Sequence, residues 1–427
     1  MQPIEYTSKR LREQYLYLKH PSGLSVYVFP KQLTGTYALL ATDFGSINTV
    51  YRTDASGEVH LPDGIAHFLE HKLFENEDGS DSFARFSELG ADANAYTTYN
   101  KTAYLFSTTE HFAESLEELL RFVTHPHFTE ASVKKEIGII SEEIRMTEDN
   151  PWDRGFQLLL GAMYQNHPVR NHICGTQESI RKINANMLYD CCRIFYHPSR
   201  MTLVVCGDVG VDTVIGTVDR VLTSATPCEC VTGCMPSEPD TVYRSRVQSR
   251  MQVAKPIFFM GFKDSFFPSD PAARIRRDAA MALLNEIMFS RSGEFYSTLF
   301  EDGVITPSFS CGYSIAESFA FNCISGESDM PEVVIDKVME TVERTKREGI
   351  SDEDLERCRR VLYADEIRAY DSTEEIANRL LSFVMDGADL FAYPELIEAI
   401  TKEELMELLC TLYQREYLAV SVIDPLE

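Results

Sequence analysis

The sequence predicts an α+β fold of two homologous domains, each an antiparallel sheet with helices packed on one face. Three observations carry this reading. Alternating stretches pair as antiparallel hairpins and are followed by amphipathic stretches with helical spacing. The order of elements in the first half returns in the second. The length of 427 residues fits two large domains, with about 150 residues per domain as the loose guide. The predicted division is 1–228, a linker over 229–240, and 241–427.

Taken in order, residues 15–30 alternate around Ser22-Gly23 and read as a strand hairpin. Thr36–Phe44 is a further strand, ending at Gly45-Ser46. The helix around His67 follows, with Asp63 as its predicted N-cap. Ser82–Leu89 is a short helix closed by Gly90. Ala93–Thr98 and Thr102–Thr108 form a strand pair, and Ala113–Val123 and Glu130–Met146 are amphipathic helices. Helical stretches follow Asn150-Pro151, then a strand over Met201–Cys206. Residues 226–240 hold three prolines and no apolar periodicity, which marks a linker.

The second half repeats this plan. Pro256–Phe262 reads as a strand, Pro271–Phe289 as the next helix, and Glu294–Glu301 as the short helix. Ser308–Ser325 mirrors the strand pair. Glu332–Arg347 and Ser351–Arg368 mirror the two amphipathic helices. The helix equivalent to that around His67 contains no histidine.

Composition excludes several classes. Sixty-six acidic against forty basic residues give a net charge of −26, which argues against nucleic acid or an anionic membrane surface as partner. No apolar run approaches the roughly 18 residues that span a bilayer. The start of the chain has no apolar core of a signal peptide. Eleven scattered cysteines fit reduced thiols in a cytoplasm better than a disulfide framework. Cys228, Cys230 and Cys234 cluster without the second matched pair that a structural metal site uses. All ten histidines lie between His20 and His197, so an imidazole metal site belongs to the first half.

The chemistry-bearing stretch is His67-Phe68-Leu69-Glu70-His71. At about 3.6 residues per turn, His67 and His71 share one helix face, with Glu70 beside them. Ile65, Ala66, Phe68, Leu69, Leu73 and Phe74 make the rest of the helix apolar, as in a buried helix. Two imidazoles and a carboxylate removed from water need partners, because an unpaired buried polar group costs several kcal/mol. A hydrogen-bonded core cluster is the bland solution; a metal with an activated water is the other. The His-x-x-Glu-His order is the inverzincin signature.

Two histidines on one helix leave a tetrahedral site incomplete, so a third ligand comes from another element. Glu75 is on the same helix and poorly placed. In the helix 130–146, Val133, Ile137, Ile140 and Ile144 define a core face. At about 100° per residue, Glu136 and Glu143 lie together on its flank, whereas Glu142 points to solvent.

These residues resemble the insulinase/pitrilysin (inverzincin) family of zinc metallopeptidases, over essentially the whole chain. The resemblance rests on His67-x-x-Glu70-His71, on Glu136 and Glu143, the latter 72 residues after His71, and on Asn94-Ala95-Tyr96-Thr97 between them. The opening Pro3–Ser8 and His71–Glu75 look most like the small bacterial YmfH-type branch. The resemblance implies zinc held by His67, His71 and Glu143, with Glu70 as the general base on its water. It implies Glu136 as a carboxylate that orients a ligand or the base. Asn94, Ala95 and Thr97 would lie on an edge strand that receives an extended substrate. The two domains would face each other across a chamber and cleave unfolded peptides or oligopeptides in the cytoplasm.

One departure stands out. Family members commonly carry an Arg and a Tyr seven residues apart in the second half, which hold the substrate; Leu299–Pro307 has neither, and Arg291 and Tyr313 do not fit the spacing. The resemblance therefore implies a dimer, with a related subunit supplying the clamp. Two competing readings are a non-catalytic scaffold or maturation subunit, which needs no Glu70, and a structural zinc module, which needs a fourth protein ligand.

Overall fold

Strands with continuous apolar runs form the centre of each sheet. In the computed structural model of the chain, which describes residues 2–53, 57–77, 79–222 and 228–426, every residue of Thr36–Thr42 and of Ile257–Asp264 is buried. Side chains alternate across a strand, so such a strand must be covered on both faces. The chain forms two compact units. The first comprises Met1–Ile144, His172–Cys234 and Ile367–Phe391, and the second comprises Arg145–Asn171, Met235–Glu366 and Ala392–Glu427.

In the first unit a seven-stranded sheet runs in the order Ile4–Ser8, Glu13–Lys19, Ser25–Pro30, Met201–Gly207, Thr36–Thr42, Thr102–Thr108, Asp92–Thr97. It is antiparallel except where Ser25–Pro30 pairs in parallel with Met201–Gly207. Ala38 and Leu40 on one face join the main core with Phe68 and Leu69 of the helix Ile65–Leu73 and with Leu116 and Leu120 of Phe112–Thr124. Tyr37, Leu39 and Ala41 on the opposite face meet Ile376, Leu380 and Leu381 of the helix Thr373–Met385. Each such large apolar side chain contributes about 1.5–3 kcal/mol on burial.

The second unit repeats this plan with five strands: Arg246–Met251, Leu418–Pro425, Ile257–Asp264, Ala320–Glu327, Ser310–Ile315. Its one parallel pair, Arg246–Met251 with Leu418–Pro425, stands where the first sheet has its own. One face carries Pro271–Phe289 and the helices around it. The other carries Pro151–Met163. That helix approaches closely: a Cβ on Gly155 would lie 2.4 Å from the Phe259 ring, and one on Gly261 would lie 2.5 Å from the Met163 sulfur.

The α+β repeat expected from the sequence is thus present, with two additions. Each sheet has one parallel pair, and a single helix covers the face opposite the helical layer. The covering helices also make the units discontinuous. Pro151–Met163 counts with the second sheet and Thr373–Met385 with the first. Within the expected linker, Thr226 and Pro227 lie outside the described residues, and Val231–Gly233 is a strand that pairs with Val50–Thr53. Among the described residues no helix is long and apolar enough to cross a membrane, and none of the eleven cysteines is bridged.

Candidate metal centre

The helix Ile65–Leu73 begins at Gly64, whose φ of 88° requires glycine, and it has no side-chain cap. Asp63 is therefore not the predicted N-cap. A glycine is needed there because a Cβ on Gly64 would lie 2.3 Å from the carbonyl oxygen of Cys174. The contact is reciprocal: Gly175, at φ 75°, would place a Cβ 2.3 Å from the Asp63 carbonyl oxygen. The Ser179 hydroxyl donates to that same oxygen at 2.8 Å. The loop carrying Cys174 is thereby fixed against the start of the helix.

One turn in, His67 and His71 lie side by side with ring centroids 4.6 Å apart and planes tilted by 56°. The helix Glu130–Asp149 supplies both expected carboxylates. Glu143 reaches between the imidazoles, with Oε1 3.4 Å from His67 Nε2 and Oε2 3.4 Å from His71 Nε2. Glu136 is buried and lies 3.0 Å from His71 Nδ1, where it can accept that proton and leave Nε2 its lone pair. Glu142 is exposed, as its phase predicts. Burial works against a charged His71, but the Glu136 and Glu143 carboxylates beside it outweigh burial and lift the imidazole to about 9. The His67 and then the His71 imidazole hold the Glu143 carboxyl well below its usual range.

The donor set fits zinc. Tetrahedral zinc with N and O ligands at about 2.0–2.1 Å separates those atoms by about 3.4 Å, which is the spacing from Glu143 Oε1 to His67 and from its other oxygen to His71; the tightest group of single ligand atoms is His67, Glu143 and Cys174, with His71 beside it. Glu143 Oε2 is buried and has no hydrogen-bond partner among the described residues, and an unpaired buried polar atom of this kind calls for an ion or water.

Glu70 faces the edge of the sheet, where Thr97 Oγ1 donates to its Oε2 at 2.5 Å. Thr97 ends Asp92–Thr97, the outermost strand of the seven. Asn94 and Ala95 on that strand line a cleft of about 440 Å³ together with Glu70, His71 and Glu136. All the residues singled out in the first half are therefore brought together. Glu75, set aside as a ligand, is paired with the buried Lys72.

Sequence reasoning missed Cys174. Its sulfur lies 3.8 Å from His67 Nε2 and 3.9 Å from Glu143 Oε1, and these three residues form a group whose ligand atoms lie within 4.8 Å of one another. The signal available was the pair Asp63-Gly64 and Cys174-Gly175, which is meaningful only once the two are in contact.

The second half offers no clamp of the expected spacing. Tyr313 OH donates to Asp264 Oδ2 at 2.6 Å, and Arg277 binds the same carboxylate. Arg291 donates to the Pro307 carbonyl oxygen at 3.1 Å.

Known proteins resemble this chain along its whole length. The family profile described as Insulinase (Peptidase family M16) matches residues 58–177, and the Peptidase M16 inactive domain matches residues 182–362. The uncharacterized zinc protease YmfH of Bacillus subtilis is 36% identical, over 100% of this chain and 99% of its own. The beta subunit of the mitochondrial-processing peptidase of Bos taurus is 30% identical over 36% of this chain and 32% of its own. The crystal structure of an M16-like peptidase from Alicyclobacillus acidocaldarius superposes with a TM-score of 0.94 at 32% identity, covering 98% of this chain and 100% of that one.

Proposed function

Because the chain belongs to the insulinase family of peptidases, family M16, we propose that it is a zinc-dependent metallopeptidase that hydrolyses peptide bonds in unfolded peptides or oligopeptides. The observation that carries this reading is the Glu143 carboxylate set between two imidazoles, with one buried oxygen lacking a hydrogen-bond partner.

His67, His71 and Glu143 are the proposed ligands. Bound there, zinc would supply Lewis acidity to a water and to the peptide carbonyl. The Glu70 carboxylate takes the proton from the attacking water and returns it to the leaving amine. Thr97 holds Glu70 by its hydroxyl hydrogen bond, so the base is oriented by the strand that receives the substrate. That strand has one free edge in the sheet order, and an extended peptide added along Asn94, Ala95 and Thr97 would run past Glu70. Glu136 keeps the His71 ring in one orientation and one tautomer.

Arg291 and Tyr313 are engaged within their own unit, and one relative is named as a subunit. Both points support a dimer in which a related chain supplies the substrate clamp. Unbridged cysteines support a reducing compartment such as the cytoplasm.

Glu70→Gln tests the reading. The variant keeps its zinc while turnover of a fluorogenic peptide falls by about 10²–10⁴-fold. Near-wild-type turnover would remove Glu70 as the base, and an absence of zinc from the wild-type chain would remove the reading itself.

A further inference from the structure

We propose that the Cys174 thiolate is a fourth protein ligand of the metal, closing the site in its resting state; this rests on the zinc reading above. Three observations converge. First, a thiolate ligand at about 2.3 Å and an imidazole at about 2.0–2.1 Å on one tetrahedral zinc lie about 3.6 Å apart. The Cys174 sulfur is 3.8 Å from His67 Nε2 and 3.9 Å from Glu143 Oε1, within a few tenths of that edge on both sides. Second, Cys174, His67 and Glu143 each place one ligand atom within 4.8 Å of the other two, and His67, only 8% exposed, turns its Nε2 toward both.

Third, the sulfur is delivered by rigid backbone. Cys174 N–H donates to His172 Nδ1 at 3.2 Å and Gly175 N–H to the His172 carbonyl oxygen at 2.8 Å, which makes a tight turn. The Gly64 and Gly175 contacts press that turn against the helix start, where no Cβ fits. Cys174 itself is 5% exposed. Its side chain is directed into the histidine–glutamate cluster.

The consequence is chemical. Catalytic zinc sites keep one position open for water, whereas sites with four protein ligands are closed. With Cys174 bound, the water that Glu70 would deprotonate has no place on the metal. Cys174 and that water are therefore alternatives at one coordination position, and the thiolate form is latent. It also holds the metal more firmly, since a soft sulfur donor is added to two nitrogens and an oxygen.

The test uses the full-length chain, stripped with a chelator and reloaded with cobalt(II), together with Cys174→Ala and Cys174→Ser. Metal content comes from elemental analysis and ligand identity from absorption. The wild-type protein should show a near-ultraviolet thiolate-to-cobalt charge-transfer band. Both variants should lose it while still binding about one cobalt per chain through the remaining ligands. Their zinc should pass to a chelator at least on the order of tenfold faster than wild type, the scale known for lesser changes around a metal. Metal bound with no band, or a band unchanged in both variants, overturns the thiolate assignment and leaves the peptidase reading intact. A wild-type chain that binds no metal overturns both. The wild-type spectrum needs no variant, so a poorly folded substitution does not decide the outcome.

Discussion

The helix Ile65–Leu73 and its counterpart Pro271–Phe289 occupy corresponding places on two sheets of matching strand order, yet their buried polar groups are resolved in opposite ways. On the second helix, Asn285 donates to Asn322 Oδ1 at 2.8 Å, Asn322 donates to the Tyr413 hydroxyl at 2.9 Å, and Tyr413 donates back to Asn285 Oδ1 at 3.1 Å. The ring closes on itself and needs nothing from outside. At the first helix, His67 and His71 converge on Glu143 of the helix Glu130–Asp149 at 3.4 Å each, and one buried oxygen of that carboxylate has no hydrogen-bond partner. The closed network completes itself; the open one at the same place in the repeat is what the proposed zinc would complete. The fold tolerates either because the surrounding apolar layer supports the helix in both units.

The sharpest break of this comparison is removal of one ligand. Glu143→Ala or His71→Ala should lower bound zinc below about one per chain, with peptide cleavage abolished, as read by elemental analysis and a fluorogenic assay. Retained stoichiometry in either variant would strike that residue from the ligand set. The matching change in the second unit should do something different in kind. Asn322→Ala opens the ring, leaves Asn285 and Tyr413 each short of a partner, and should lower stability by about 2–4 kcal/mol while zinc content stays unchanged. Trp152, the single tryptophan, packs on Phe259 in this unit and reports the denaturant midpoint by fluorescence.

The two networks also differ in how far the sequence disclosed them. His67, Glu70 and His71 were legible because helical spacing alone sets them on one face. Glu136 and Glu143 were legible because their helix has a clear apolar face from which phase could be counted. Cys174 was not, since its position depends on two glycine contacts between loops about a hundred residues apart in sequence, Asp63-Gly64 and Cys174-Gly175. The asparagine ring was hidden for the same reason, being assembled from a helix, a strand and the residue after another helix. At the level of the fold, the repeat was legible from element order. The assignment of Pro151–Met163 to the second sheet and Thr373–Met385 to the first was not, because amphipathic spacing says that a helix has a buried face without saying which sheet receives it. The cap was misread because Asp63 is a good N-cap by type, whereas close backbone contact demanded Gly64.

Titration gives the finest discrimination between the units, because one histidine in each is perturbed in the opposite direction. His167, in the second unit, is lowered to about 4, mainly by burial, with Glu238 opposing and Lys263 adding to the shift. The folded state therefore resists a proton that the unfolded state takes up near the ordinary value of 6.5. Stability is complete above that value and declines as pH falls toward 4, by at most about 3 kcal/mol. His71 in zinc-free protein behaves in reverse. Raised to about 9 by Glu136 and Glu143 against the effect of burial, it stabilises the first unit below its ordinary value, and that contribution fades as pH rises through 9. Chelated protein should then show acid-weakened Trp152 unfolding and alkali-weakened hydrogen-exchange protection in Thr36–Thr42. Zinc binding, which requires neutral His71, should abolish the alkaline loss and leave the acid loss in place; an alkaline loss that persists with zinc bound would place its origin outside the His71 cluster.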